Sequence, residues 1–123
     1  MQIINPKKIK FKEALEGIRF VIKEEFNFKI HLLIAFFVLF FGILFDLNKF
    51  EWVVIIFAIF LVLITEVINT SIENLADLLV SETNTNVKII KDIAAGAVLL
   101  TSLAATIVGL LVFLPKIWKL LNG

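Results

Sequence analysis

Along the 123 residues, charged and apolar positions fall into long alternating blocks. Residues 1–29 mix the two. No charge appears over residues 30–45 or 52–65, and a third uncharged run covers residues 93–115. A membrane-spanning helix needs ~20 apolar residues. Only the third run reaches that length unaided. The first two extend into their flanks, and Val67, Ile68, Ile72 and Leu75 carry an apolar stripe past Glu66. The pattern predicts three transmembrane helices, over about 28–46, 50–80 and 87–115, the second projecting out of the bilayer. Short apolar runs also suit buried helices of a soluble core, but too little polar sequence remains to cover one.

Ahead of the first run, Asn5 and Pro6 suit an N-cap and a first helical position. Phe11, Leu15, Ile18 and Ile22 then recur at helical spacing, with Ala14 and Val21 beside them. Lys12, Glu13, Glu16, Arg19 and Lys23 point elsewhere. This predicts an amphipathic helix over about 6–27, lying along the membrane interface, packed on its own bundle, or both. The first apolar run starts too late for a cleavable signal peptide. Residues 1–123 thus read as one all-α membrane domain.

Lysine and arginine placement sets the orientation. Residues 1–29 carry Lys7, Lys8, Lys10, Lys12, Arg19, Lys23 and Lys29, and the segment 66–92 carries Lys88 and Lys91. The turn at 46–51 has only Lys49. The N-terminus and second connection are therefore expected in the cytoplasm, although Lys116 and Lys119 in the tail run against the rule. The expected location is the bacterial inner (cytoplasmic) membrane, with multiple passes.

Composition narrows the classes further. The apolar share is 60% and the charged share 19%, against ~45–50% and ~25% in soluble domains. A chain this short cannot hide so much apolar surface in one water-soluble core. Cysteine is absent, which excludes disulfides and thiolate metal sites. A net charge of +1 excludes a broad basic surface for nucleic acid.

The chemistry concentrates on the second span. Glu66, Asn69, Glu73 and Asp77 are spaced by three, four and four, so they share one helix face. An ionisable group at membrane depth is costly and usually faces a polar cavity or a partner. Carboxylates suit hard cations such as Mg²⁺, one or two per ion with phosphates completing the shell. A carboxylate can also take a proton from a hydroxyl. The bland alternative is a solvated face on a helix leaving the bilayer. Glu24 and Glu25 close the amphipathic helix, and Lys91 and Asp92 open the third span, all at the same cytoplasmic level. Lys91 can meet phosphate or anchor the helix at the interface. This set suits phosphoryl transfer to a lipid alcohol. His31, alone at the start of the first span, reads as an interface or hydrogen-bonding residue rather than a catalyst. No Walker-type or kinase glycine loop is present. On the third helix Ala97, Thr101, Ala105 and Gly109 recur every four residues, a small-residue stripe for close helix packing within the chain or in an oligomer.

Glu66-Val67-Ile68-Asn69-Thr70-Ser71-Ile72-Glu73, then Asp77, then Lys91-Asp92-Ile93-Ala94-Ala95-Gly96-Ala97-Val98, resembles the signature of the small prokaryotic diacylglycerol kinase and undecaprenol kinase family. Gly17-Ile18-Arg19 and Glu25-Phe26-Asn27-Phe28-Lys29-Ile30-His31 match the family's approach to its first span. The resemblance implies a homotrimer of three-span subunits with composite sites. It implies transfer of the γ-phosphoryl group of ATP, with Mg²⁺, to a lipid alcohol at the cytoplasmic face. By position, Glu66 corresponds to the general base and Glu25 and Glu73 to the metal ligands. Asn69, Asp77, Glu82, Asn84, Lys91 and Asp92 correspond to nucleotide-site residues, and Arg19, Glu66 and Ala95 to the lipid side. The chain departs from the family in the loop, with Asn84-Thr85-Asn86-Val87-Lys88 where relatives commonly have His-Pro-Leu-Ala-Lys. The stretch from Asn27 to His31 resembles the undecaprenol branch, since the diacylglycerol branch is acidic at the position of His31.

Two other readings use the same features. A holin-like pore former or bundle scaffold suits three spans, but leaves the acid-and-amide stripe without a purpose. An ion or proton pathway needs charge through the membrane's depth, and the uncharged third span supplies none.

Overall fold

The computed structural model describes residues 10–79 and 84–123. Among them are four helices and no strand: α1 (Phe11–Glu24), α2 (Phe26–Leu44), α3 (Lys49–Leu79) and α4 (Thr85–Asn122). The last three are long and apolar enough to cross a membrane. The expected all-α architecture of three spans and an N-terminal amphipathic helix is therefore present. The expected cap at Asn5 and Pro6 lies outside the described residues.

The first helix ends earlier than 27. Glu25 is extended (φ −103°, ψ 112°), so α1 and α2 are separate helices meeting at a corner. On α1, Val21 is buried, whereas Phe11, Leu15, Ile18 and Ile22 remain exposed. That apolar face is left uncovered within the chain.

The turn between α2 and α3 is built from its own sequence. Leu47 N–H donates to the Gly42 carbonyl (3.1 Å) and Asp46 N–H to that of Ile43 (3.2 Å). This is a Schellman closure. Its left-handed position is taken by Asp46 (φ 53°), a residue type that tolerates that conformation. Leu47 then folds inward and is buried. Asn48 and Glu51 cap α3 reciprocally: Glu51 N–H donates to Asn48 Oδ1 (2.8 Å) and Asn48 N–H to Glu51 Oε1 (2.9 Å). Glu51 also pairs with Lys116 of α4 at 3.0 Å. The third span does not stop at 115. It runs through Pro115 to Asn122, because Ile117, Trp118, Leu120 and Leu121 continue the apolar pattern.

The central helix is α3. It packs along α4 for much of its length, and α2 and α1 lean on it from elsewhere. Thr65 and Thr101 hydroxyls meet at 2.8 Å across the α3–α4 interface. Thus the small-residue stripe on α4 is used, at Thr101, inside the chain. A core of Leu47, Ile55 and Val112 closes the turn end of the bundle, with Val38, Trp52 and Phe113 against it. Further along, α2 and α4 diverge over α3 and leave a cavity of about 370 Å³.

Gly42 is where α2 comes closest to the start of α3. A Cβ there would stand 2.7 Å from Trp52 Cη2 and 3.1 Å from Leu47 Cδ1. Gly42→Val is expected to destabilise the bundle by about 1–3 kcal/mol. The readout is a lower midpoint in detergent-induced unfolding. Gly17→Val is the matched control, since nothing lies within 4 Å of a Cβ at Gly17.

Candidate functional site

Among the described residues Glu66 is the most deeply placed acid, at 2% exposure, in the middle of α3. Its surroundings follow from helical spacing. Asn69 and Thr70, one turn on, are also buried, and the Thr70 hydroxyl donates to the Glu66 carbonyl at 3.0 Å. Asn69 Nδ2 donates to Glu73 Oε1 at 3.2 Å. The acid-and-amide stripe is thus one continuous face that starts buried and becomes wetter towards Asp77, which is exposed.

Two buried acceptors on this face have no hydrogen-bond partner: Glu66 Oε2 and Asn69 Oδ1. Orphaned buried oxygens are rare and need an explanation. The atom nearest to pairing with Glu66 comes from α2, where His31 Nε2 lies 3.5 Å from Oε2. Sequence reasoning set His31 aside. A lone histidine gives no spacing signal, and only the hairpin geometry brings it beside Glu66.

Glu25 is half-buried at the α1–α2 corner, and Glu73 is half-buried on α3. Both lie close enough to Glu66 to act on it electrostatically. The three acids assigned to base and metal roles are therefore brought to one end of the bundle. Among the described residues, no three His, Asp or Glu side chains gather tightly enough to hold a metal by themselves. Two carboxylates with phosphate oxygens and water are the ordinary arrangement for Mg²⁺, and this donor set fits it.

The remaining candidates are wetter, and among the described ones only Asp77 and Lys91 are brought together. Lys91 Nζ donates to Asp77 Oδ1 at 2.7 Å, tying α4 to the end of α3. Asp92 pairs with Lys88 at 2.6 Å along α4. Asn84 Oδ1 accepts from the N–H groups of Asn86 (2.9 Å) and Val87 (3.2 Å) and so caps α4. Arg19 is exposed on α1, and Ala95 is exposed on α4 beside buried Ala94. Glu82 lies outside the described residues.

One end of a three-span bundle thus holds a buried acid, an amide oxygen without a partner and a Lys91–Asp77 ion pair. Residues 12–113 match the family described as prokaryotic diacylglycerol kinase. The chain belongs to this family of lipid kinases. The undecaprenol kinase of Bacillus subtilis (strain 168) is 38% identical over 107 residues, covering 87% of each chain. The diacylglycerol kinase of Synechocystis sp. is 35% identical over 114 residues. That alignment covers 92% of this chain and 65% of the longer cyanobacterial one. The family relation places this chain among enzymes that phosphorylate an alcohol group, and its three long apolar helices make it a membrane protein.

The Asp77–Lys91 pair is solvent-accessible, with side chains 58% and 35% exposed. Exposed pairs contribute little to stability, typically ~0–1 kcal/mol. Lys91→Gln is therefore expected to leave the unfolding midpoint nearly unchanged. A large drop in that midpoint would mean that the pair is a structural clamp instead.

Proposed function

We propose that this lipid kinase transfers the γ-phosphoryl group of ATP, with Mg²⁺, to undecaprenol at the cytoplasmic face of the inner membrane. The observation that carries this reading is the buried Glu66 carboxylate, with one oxygen unpartnered and with Glu25 and Glu73 within electrostatic reach. A buried acceptor of this kind suits the removal of a proton from a substrate hydroxyl. Phosphoryl transfer asks for positioning and charge neutralisation more than covalent help.

In this mechanism Glu66 takes the acceptor's hydroxyl proton as its oxygen bonds to the γ-phosphorus. The bond from that phosphorus to the bridging oxygen breaks, and ADP leaves with the electron pair. Glu25 and Glu73 are the residues that would hold Mg²⁺, which when bound would supply neutralisation of the phosphate charge. Asn69, whose carbonyl oxygen has no partner, would contact the nucleotide. Lys91 would meet phosphate in exchange for Asp77, and Asp92, Asn84 and Glu82 are assigned to the nucleotide by their correspondence to the family's site residues. Arg19 and Ala95 belong to the lipid side. The N-terminus faces the cytoplasm, so nucleotide arrives from water and the acceptor from the bilayer.

Three helices leave this end of the bundle open, and a homotrimer with sites shared between neighbours would close it. Undecaprenol is favoured as acceptor by the B. subtilis relative, which matches over 87% of both chains. Diacylglycerol is the second reading, favoured by the Synechocystis relative.

Glu66→Gln keeps the side-chain shape and removes the base. It is expected to lower lipid phosphorylation by on the order of 10²-fold or more while the protein stays folded and assembled. Labelled ATP offered with undecaprenol and diacylglycerol side by side identifies the acceptor. Full activity in Glu66→Gln would overturn the base assignment.

A further inference from the structure

The cavity between α2 and α4 ends at His31, the sole titratable side chain in its wall. The wall elsewhere is apolar or small, including Ala35, Val62, Ala105 and Gly109. Its Thr106 hydroxyl is turned back onto the Ser102 carbonyl at 2.8 Å. Ser102 and Thr106 add hydroxyls to the wall, and His31 is the lining residue that also stands beside Glu66, 3.5 Å from its carboxylate.

The His31–Glu66 geometry is specific. Nε2 and Oε2 are 3.5 Å apart, beyond the ~2.7–2.9 Å of a charge-assisted hydrogen bond. Oε2 has no other partner. Two atoms at this separation can each hold the same oxygen at ~2.8 Å, at the apex of a triangle. One corner offers an N–H, present in the Nε2–H tautomer and in the imidazolium alike. The other offers a carboxylate oxygen. This is a complementary pair for a hydroxyl, which accepts from one and donates to the other.

We propose that His31 is a catalytic residue that receives the acceptor hydroxyl, with the acceptor's hydrocarbon lying in the adjoining cavity. This rests on the lipid-kinase reading above. Nε2–H donates to a lone pair of the acceptor oxygen and fixes the direction of the other lone pair. The O–H proton passes to Glu66 as the new O–P bond forms and the bond to ADP breaks. The hydrocarbon is the occupant because His31, which would hold the hydroxyl, also lines the cavity, whose wall is otherwise apolar apart from Ser102 and Thr106.

Phe keeps the ring volume of His31 without a donor, and Gln places an N–H near the position of Nε2. Full-length wild type, His31→Phe and His31→Gln in mixed micelles are assayed with undecaprenol and Mg·ATP. His31→Phe is expected to lose on the order of 10²-fold in kcat/KM for the acceptor, as for loss of one aimed donor. The KM for ATP should stay within about 2-fold, and His31→Gln should recover about 10-fold of the loss. Wild-type kcat/KM in His31→Phe, or equal losses in both variants, overturns the role of His31 alone. Wild type that phosphorylates no lipid alcohol overturns the kinase reading as well.

Discussion

A carboxylate taken out of water costs several kcal/mol unless something compensates. Glu66 carries that cost in the middle of α3, at 2% exposure, on a helix otherwise fitted to a bilayer. The rest of the site can be understood as what surrounds this one acid. α2 brings His31 to its side. The corner at Glu25 turns the chain so that a second acid approaches. Continuation of α3 beyond the apolar stretch adds Glu73 and Asp77, and α4 returns Lys91 to that same end. Intramembrane acids of this kind are expected at functional sites rather than at structural ones.

The two ends of the bundle divide the work. At the α2–α3 turn, polar groups satisfy one another: Asn48 and Glu51 cap reciprocally, Lys116 pairs with Glu51, and Leu47 seals the turn. At the Glu66 end, Glu66 Oε2 and Asn69 Oδ1 are left without partners. A closed end holds the helices in register, while the other leaves two buried acceptors without partners. The Thr65–Thr101 contact lies between them and ties α3 to α4.

Much of this was legible in the chain. The stripe at 66, 69, 73 and 77 needed only helical spacing, and the uncharged runs located the three spans. The corner at Glu25 was legible only in part: Glu24 and Glu25 read as the close of the amphipathic helix, but apolar spacing runs on through Phe26 with no Pro or Gly to mark a break, which carries the expected range to 27. The third span is expected to end at 115, where the uncharged run stops before Lys116, whereas the helix itself continues through Pro115 to Asn122. In a helix bordered by apolar residues on both sides the proline is accommodated. Asn84 was read through a family motif, and its local role as an N-cap, a general preference of Asn, became visible only in three dimensions. His31 was undervalued because a lone histidine carries no spacing signal. Its meaning arises from a hairpin that places it opposite Glu66.

The central claim is that Glu25, Glu66 and Glu73 surround a metal-bound triphosphate at one end of the bundle. Paramagnetic broadening by Mn·ATP, read on ¹³C-carboxyl-labelled glutamates in the wild-type protein, tests it most directly. The account predicts strong nucleotide-dependent broadening at these three residues and none at Glu51, which lies at the opposite end. Broadening at Glu51 with sharp signals at 25, 66 and 73 would contradict it.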